Sequence, residues 1–126
     1  MSESRHPPTA LDAETLAGLF DVGDEAFVDE LFDLYLDRAD QGLETIHTAA
    51  CAEDLHTLSE AANDLKGSSA TVGALRLAEF CDQLEQLEAS QLPTGAADLI
   101  EQIARQFERI EAQMRSWQRS NISQID

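Results

Sequence analysis

The side chains with chemical potential in this chain concentrate in Asn63-Asp64-Leu65-Lys66-Gly67-Ser68-Ser69. Lys66 is the only lysine of the sequence. It stands one helical turn from Asn63, where a flexible ammonium could meet a phosphoryl group or a partner's carboxylates. Asn63 offers a donor and an acceptor, but its amide nitrogen gives its lone pair to the carbonyl. It can hydrogen-bond and cannot act as a nucleophile. Ser68 and Ser69 have no histidine base at a motif spacing, and no glycine-rich phosphate loop precedes a helix, so neither hydrolase nor nucleotide-binding chemistry is indicated. His6, His47 and His56 are scattered among carboxylates and lack the i, i+4 spacing of a helical histidine pair. No metal site and no cofactor is expected.

The element that must position these residues is a helix. On a wheel of about 100° per residue, Leu55, Leu58, Ala62, Leu65, Ser69 and Val72 form one stripe, a core face. Asn63 falls roughly 130° from its centre, with Gly67 one turn on and His56, Ser59 and Glu60 on the turns before. Gly67 costs about 1 kcal/mol of helix propensity relative to Ala, and the local pattern calls for no turn there. The simplest physical reason is a second molecule approaching closely over Asn63, where a Cβ at position 67 would obstruct it. The expected docking surface is the exposed face carrying His56, Ser59, Asn63, Lys66, Gly67 and Ala70. Leu19, Phe20 and Phe27 are a candidate apolar margin that could equally belong to the core.

The rest of the chain supplies partners for that helix. Asp12 is a candidate N-cap, with Leu11 and Leu16 as a hydrophobic staple, for a short helix through about Phe20 that Val22-Gly23 ends. Asp24 caps a long helix with apolar positions at Phe27, Leu31, Leu34, Tyr35, Leu43, Ile46 and Ala50, in which Gly42 is a possible kink. Cys51-Ala52-Glu53-Asp54 turns the chain into the third helix, with Asp54 as its cap, and Gly73 closes that helix by entering the left-handed region. A fourth helix is expected from about Ala74 to Ser90, with Leu77, Cys81, Leu84 and Leu87 in register. A last one, capped by Thr94, carries Ala96, Leu99, Ile100, Ile103, Phe107, Ile110, Met114 and Trp117. The predicted fold is all-α: an antiparallel four-helix bundle over residues 11–119 with an additional short N-terminal helix. Residues 1–10 are expected to be a flexible leader and 120–126 a frayed C-terminus.

Composition narrows the partners. Of 126 residues, 25 are acidic and eight basic, a formal charge of −17. Such a surface repels nucleic acid and anionic membranes and favours a basic patch on a protein partner. With no long apolar run and no signal-peptide pattern, a cytoplasmic protein, monomeric, is expected. Cys51 and Cys81 lack the density of a disulfide scaffold, and Cys81 is expected in the core.

The run Asn63-Asp64-Leu65-Lys66-Gly67-Ser68-Ser69, followed by Val72-Gly73-Ala74, Leu77, Cys81 and Leu84-Glu85, resembles the signature of the histidine-containing phosphotransfer (HPt) domain. That signature reads H-x-L-K-G-S-[SA], then G-[AG], then a leucine helix with C-x-x-L-E. The resemblance implies the same helical bundle, a place in two-component phosphorelays, and receiver domains or histidine kinases as partners. It implies no independent enzymatic activity. Leu65, Ser68, Ser69 and Gly73 match the motif, but Asn63 occupies the position of the family's phosphoacceptor histidine.

A neutral imidazole accepts a phosphoryl group through a free lone pair, which an amide lacks. Asn63 is nonetheless similar in size, so binding can persist where transfer cannot. The first function expected is a pseudo-HPt module that docks on a receiver or kinase without carrying phosphate. The alternative is an active phosphotransfer protein met here as a His-to-Asn variant, and a second alternative is a structural bundle without a signalling role. The start at Met1 without added tag residues favours a natural Asn63. His56 is a conceivable substitute acceptor, but it lies two turns and about 10 Å along the axis, away from Lys66 and Gly67.

Overall fold

The computed structural model of the protein describes residues 10–125, with side chains described through Ser120. Of the expected leader only Ala10 falls within it. Five α-helices follow in order: α1 (Ala13–Val22), α2 (Glu25–Cys51), α3 (Leu55–Thr71), α4 (Leu75–Glu85) and α5 (Thr94–Ile125), with a 3-10 turn at Ala89–Gln91 between the last two. Among the described residues there is no strand.

Aspartates start the first three helices. Asp12, Asp24 and Asp54 accept from the backbone N–H groups of Thr15, Phe27 and Thr57, satisfying donors that have no partner inside the helix. Asp54 also accepts from the Thr57 hydroxyl at 2.7 Å. These bonds hold its carboxyl below its ordinary range.

Short connections at residues 52–54 and 72–74 force antiparallel neighbours. α3 packs between α2 and α4, and α5 packs against α4 and α2, closing a ring of four helices. Phe32, Ile46, Leu58, Leu77, Leu84, Ile103, Ile110 and Met114 fill its interior. α1 lies outside the ring and is pinned at its start: the Asp12 N–H donates to the Gly73 carbonyl at 2.7 Å, and Leu11 is buried. Gly73 has φ +86°, and a Cβ there would stand 3.1 Å from Thr15 and 3.2 Å from the Asp12 nitrogen. Conformation and close approach both require glycine at this crossing.

Three boundaries differ from the sequence expectation. α4 ends at Glu85 and not at Ser90. Glu88 is extended, and the Gln91 side chain accepts from its N–H at 2.7 Å, so a polar side chain takes a bond the helix would need. Thr94 is the first residue of α5 and not its cap, because the Pro93 carbonyl already accepts from Ala96 and Ala97. The helix also continues as far as Ile125, through the segment expected to fray. Gly42 sits within α2 without ending it.

One polar pair is sealed in the core, Tyr35 and Ser69, whose hydroxyls meet at 2.9 Å between α2 and α3. Burial pushes the Tyr35 phenol from 10.0 up to about 12 and the Cys81 thiol from 9.0 up to about 12. Both groups fold protonated, so the unfolded chain loses these protons first. Stability is therefore unaffected by them below about pH 9 and falls between pH 9 and 12. Replacing Tyr35 with Phe strands the Ser69 hydroxyl, and urea unfolding at neutral pH is expected to show a loss of about 1 to 2 kcal/mol. Repeated across pH 9 to 12, the same measurement should decline less steeply for Tyr35→Phe than for the parent protein.

Candidate functional site

Packing on both flanks leaves α3 only a narrow outward crest. Leu58, Ala62, Leu65 and Ser69 are buried, while His56, Glu60, Asn63, Gly67 and Ala70 are exposed. Ser59 is half-buried at the edge facing α4. The Asn63 side chain makes no hydrogen bond among the described residues, so its donor and acceptor are free for a second molecule. Gly67 follows one turn later in ordinary helical conformation. A Cβ built on it meets nothing within 4 Å. Neither backbone strain nor internal packing requires glycine there.

Lys66 does not extend freely beside Asn63. It is half-buried and turned towards α4, where its ammonium pairs with Asp82 at 3.2 Å and with Glu85. Glu85, then Asp82, raise its pKa by bonding to the charged form. Glu85 Oε1 is buried and finds its charge partner in this ammonium. The sequence alone did not point to Asp82 and Glu85 as partners of Lys66. Their i, i+3 spacing is visible, but the pairing with α3 depends on the register in which α4 folds back.

The two serines of the motif work within the fold. Ser69 bonds Tyr35, and the Ser68 hydroxyl donates back to the carbonyls of Asp64 and Leu65 at 3.3 Å. His56 is not brought to Asn63: its side chain is 82% exposed and lies 3.4 Å from Glu60. Two Glu-x-x-His sequences run from Glu44 to His47 and from Glu53 to His56, of the kind that di-iron bundles use. Among the described residues no group of three or more His, Cys, Asp or Glu could hold a metal ion.

The crest is a ridge between two hollows. On the α2 side a groove of about 710 Å³ runs past Arg38, Gly42, Thr45, Glu60, Asp64 and Ser68. On the α4 side a hollow of about 510 Å³ is lined by Lys66, Leu75, Ala78 and Asp82 among others. Of the candidate margin, Phe20 is 39% and Phe27 43% exposed, while Leu19 is half-buried. The Phe20 ring leans on Trp117 of α5 at 5.5 Å, and Phe27 folds over Gly23, where a Cβ would clash with its ring. Both therefore share the two fates considered, packing with one face and showing the other. Among the described residues no helix is long and apolar enough to cross a membrane.

Comparison with known proteins places this arrangement. A family model described as the Hpt domain matches residues 30–113. Among solved structures, histidine-containing phosphotransfer protein B (HptB) from Pseudomonas aeruginosa PAO1 matches with a TM-score of 0.80 at 30% identity, covering 90% of this chain and 98% of that one. A rice protein named as a histidine-containing phosphotransfer protein matches with a TM-score of 0.84 over 98% of this chain and 91% of its own, and at 24% identity it speaks for the fold alone. No curated protein sequence matches significantly.

If Gly67 and Gly42 are bare for access and not for folding, Ala at either position should fit. With open space at both Cβ sites, Gly67→Ala and Gly42→Ala are each expected to raise stability by about 0.5 to 1 kcal/mol through helix propensity. Thermal melts of the two variants check this, and a fall in stability would make either glycine a packing residue.

Proposed function

The chain belongs to the Hpt domain family, the phosphotransfer-type components of phosphorelays, and from that premise we propose that it is a pseudo-HPt module, which docks on receiver or histidine-kinase domains without carrying a phosphoryl group. The observation that carries this reading is Asn63 itself, exposed and unbonded on a crest kept bare by Gly67. The docking surface survives in shape, and the one atom needed for chemistry is missing. An amide nitrogen has no lone pair for phosphorus, so a phosphorylated receiver docked over Asn63 finds hydrogen-bonding groups and no acceptor.

Such a module acts by occupancy. It competes with an active relay protein for the same receiver face, or it holds a regulator in one state. Its formal charge of −17 favours partners with a basic surface around their docking face and makes association faster at low ionic strength. Within this reading Lys66, clamped by Asp82 and Glu85, contributes local structure to the crest and a partly neutralised charge.

The alternative, an active relay protein in which histidine at position 63 has been exchanged, draws support from the intact surroundings of Asn63. The same experiment separates them from an idle bundle. Purified receiver domains of the source organism are titrated with the protein, and phosphotransfer from a phosphorylated receiver is followed to it and to Asn63→His. Binding with no transfer is expected for the present chain, and transfer for Asn63→His. Gly67→Trp should abolish binding while helix content and melting stay near those of the parent. Absence of binding in every form would remove the docking function altogether.

A further inference from the structure

We propose that Arg38 is the cation through which this surface selects its partner, pairing with a carboxylate on the docked receiver. The proposal rests on the docking reading above and adds a residue on a different helix from the crest.

The described cations are mostly engaged. Lys66 is held by Asp82 and Glu85, Arg105 by Glu101 at 2.7 Å, and Arg115 by Asp33 at 3.1 Å. Arg76 lies over the Phe80 ring at 5.4 Å. Arg38 is exposed, and among the described residues it makes no ion pair or hydrogen bond, although Glu60 and Asp64 line the same groove. It stands on the α2 wall of the hollow that borders the Asn63 crest. An unpaired guanidinium there is the one positive group that a molecule lying over Asn63 and into this groove would meet first.

Its neighbours on α2 are arranged for contact. Leu34, Arg38 and Gly42 follow one another at i, i+4 and i+8, so they share one stripe of the helix. Leu34 is 55% exposed, a large apolar side chain left in water. At Gly42 a Cβ would meet nothing within 4 Å, inside a helix of 27 residues that runs on without interruption. An apolar side chain, a cation and bare backbone thus succeed each other along one stripe of α2, and Arg38 and Gly42 line the groove. Gly67 bares the crest across from it, so both sides of the approach are shaved. Lys66, turned to the other flank of α3, is poorly placed to do the same work.

Charge complementarity defines the occupant. The acidic bulk of the protein favours a receiver with a basic surround, while Arg38 demands one acidic side chain at a fixed spot within it. A lone inversion of sign fixes register and rejects receivers with a Lys or Arg at the facing position.

The test titrates the parent protein, Arg38→Glu and Gly67→Trp with the purified receiver domains of the source organism. For a receiver that binds the parent, Arg38→Glu is expected to weaken Kd about tenfold or more, with melting unchanged because Arg38 is exposed. Reversing the facing carboxylate of that receiver to Arg should restore binding to Arg38→Glu. If Arg38→Glu binds like the parent while Gly67→Trp does not, Arg38 lies outside the interface and the docking function stands without it. If no receiver binds the parent, both fall.

Discussion

The structure depends on α3 being gripped along three of its sides. Its inner stripe is buried, α2 covers one flank and α4 the other. What remains is a narrow ridge on a packed helix, where His56, Glu60, Asn63, Gly67 and Ala70 are exposed to solvent. This is the geometry that a transfer or docking site needs, since reacting or contacting groups on packed helices keep their positions better than groups on loops. The Tyr35 to Ser69 hydroxyl pair and the Gly73 crossing fix the helix in register and at its end. The crest inherits its precision from contacts made on the opposite side of the same helix.

Electrostatics then divide the ridge. On the α4 flank the charge of Lys66 is met by two carboxylates, one of them with a buried oxygen, so this cation is largely spoken for. On the α2 flank the charge of Arg38 is not. Of the two cations that flank Asn63, Arg38 on the α2 side is therefore left unpaired while Lys66 on the α4 side is paired. That asymmetry could not follow from composition, which counts charges without locating them.

How far the sequence could be read follows from the range of the interactions. The aspartate caps, the helix periods and Gly73 are set by bonds within a turn or two, and each was visible as residue type and spacing. The outward position of Asn63 and Gly67 follows from one wheel and needed no partner. The partners of Lys66 were not legible, because Asp82 and Glu85 reach it only through the register of α4 on α3. The early end of α4 was missed for a related reason: Leu87 continues the apolar period, and the Gln91 to Glu88 bond that interrupts it has no periodic signature. The fate of Phe20 and Phe27 also stayed open, as rings at the rim of a bundle are decided by tertiary neighbours such as Trp117 and Gly23.

Asn63 cannot act as a nucleophile, so the proposed docking role rests on the rest of the face. Half-buried Gly42 in α2 and exposed Gly67 in α3 together cost about 2 kcal/mol of helix propensity, against a total stability of about 5 to 15 kcal/mol for a domain of this size. Neither is needed by the fold: both Cβ positions are empty and neither backbone leaves the helical region. A bundle serving structure alone would gain from almost any other residue at positions 42 and 67. Gly42 lines the groove and Gly67 stands on the crest beside it, so both leave bare backbone near the exposed Asn63 amide. Bare backbone beside Asn63 therefore supports the docking role proposed above.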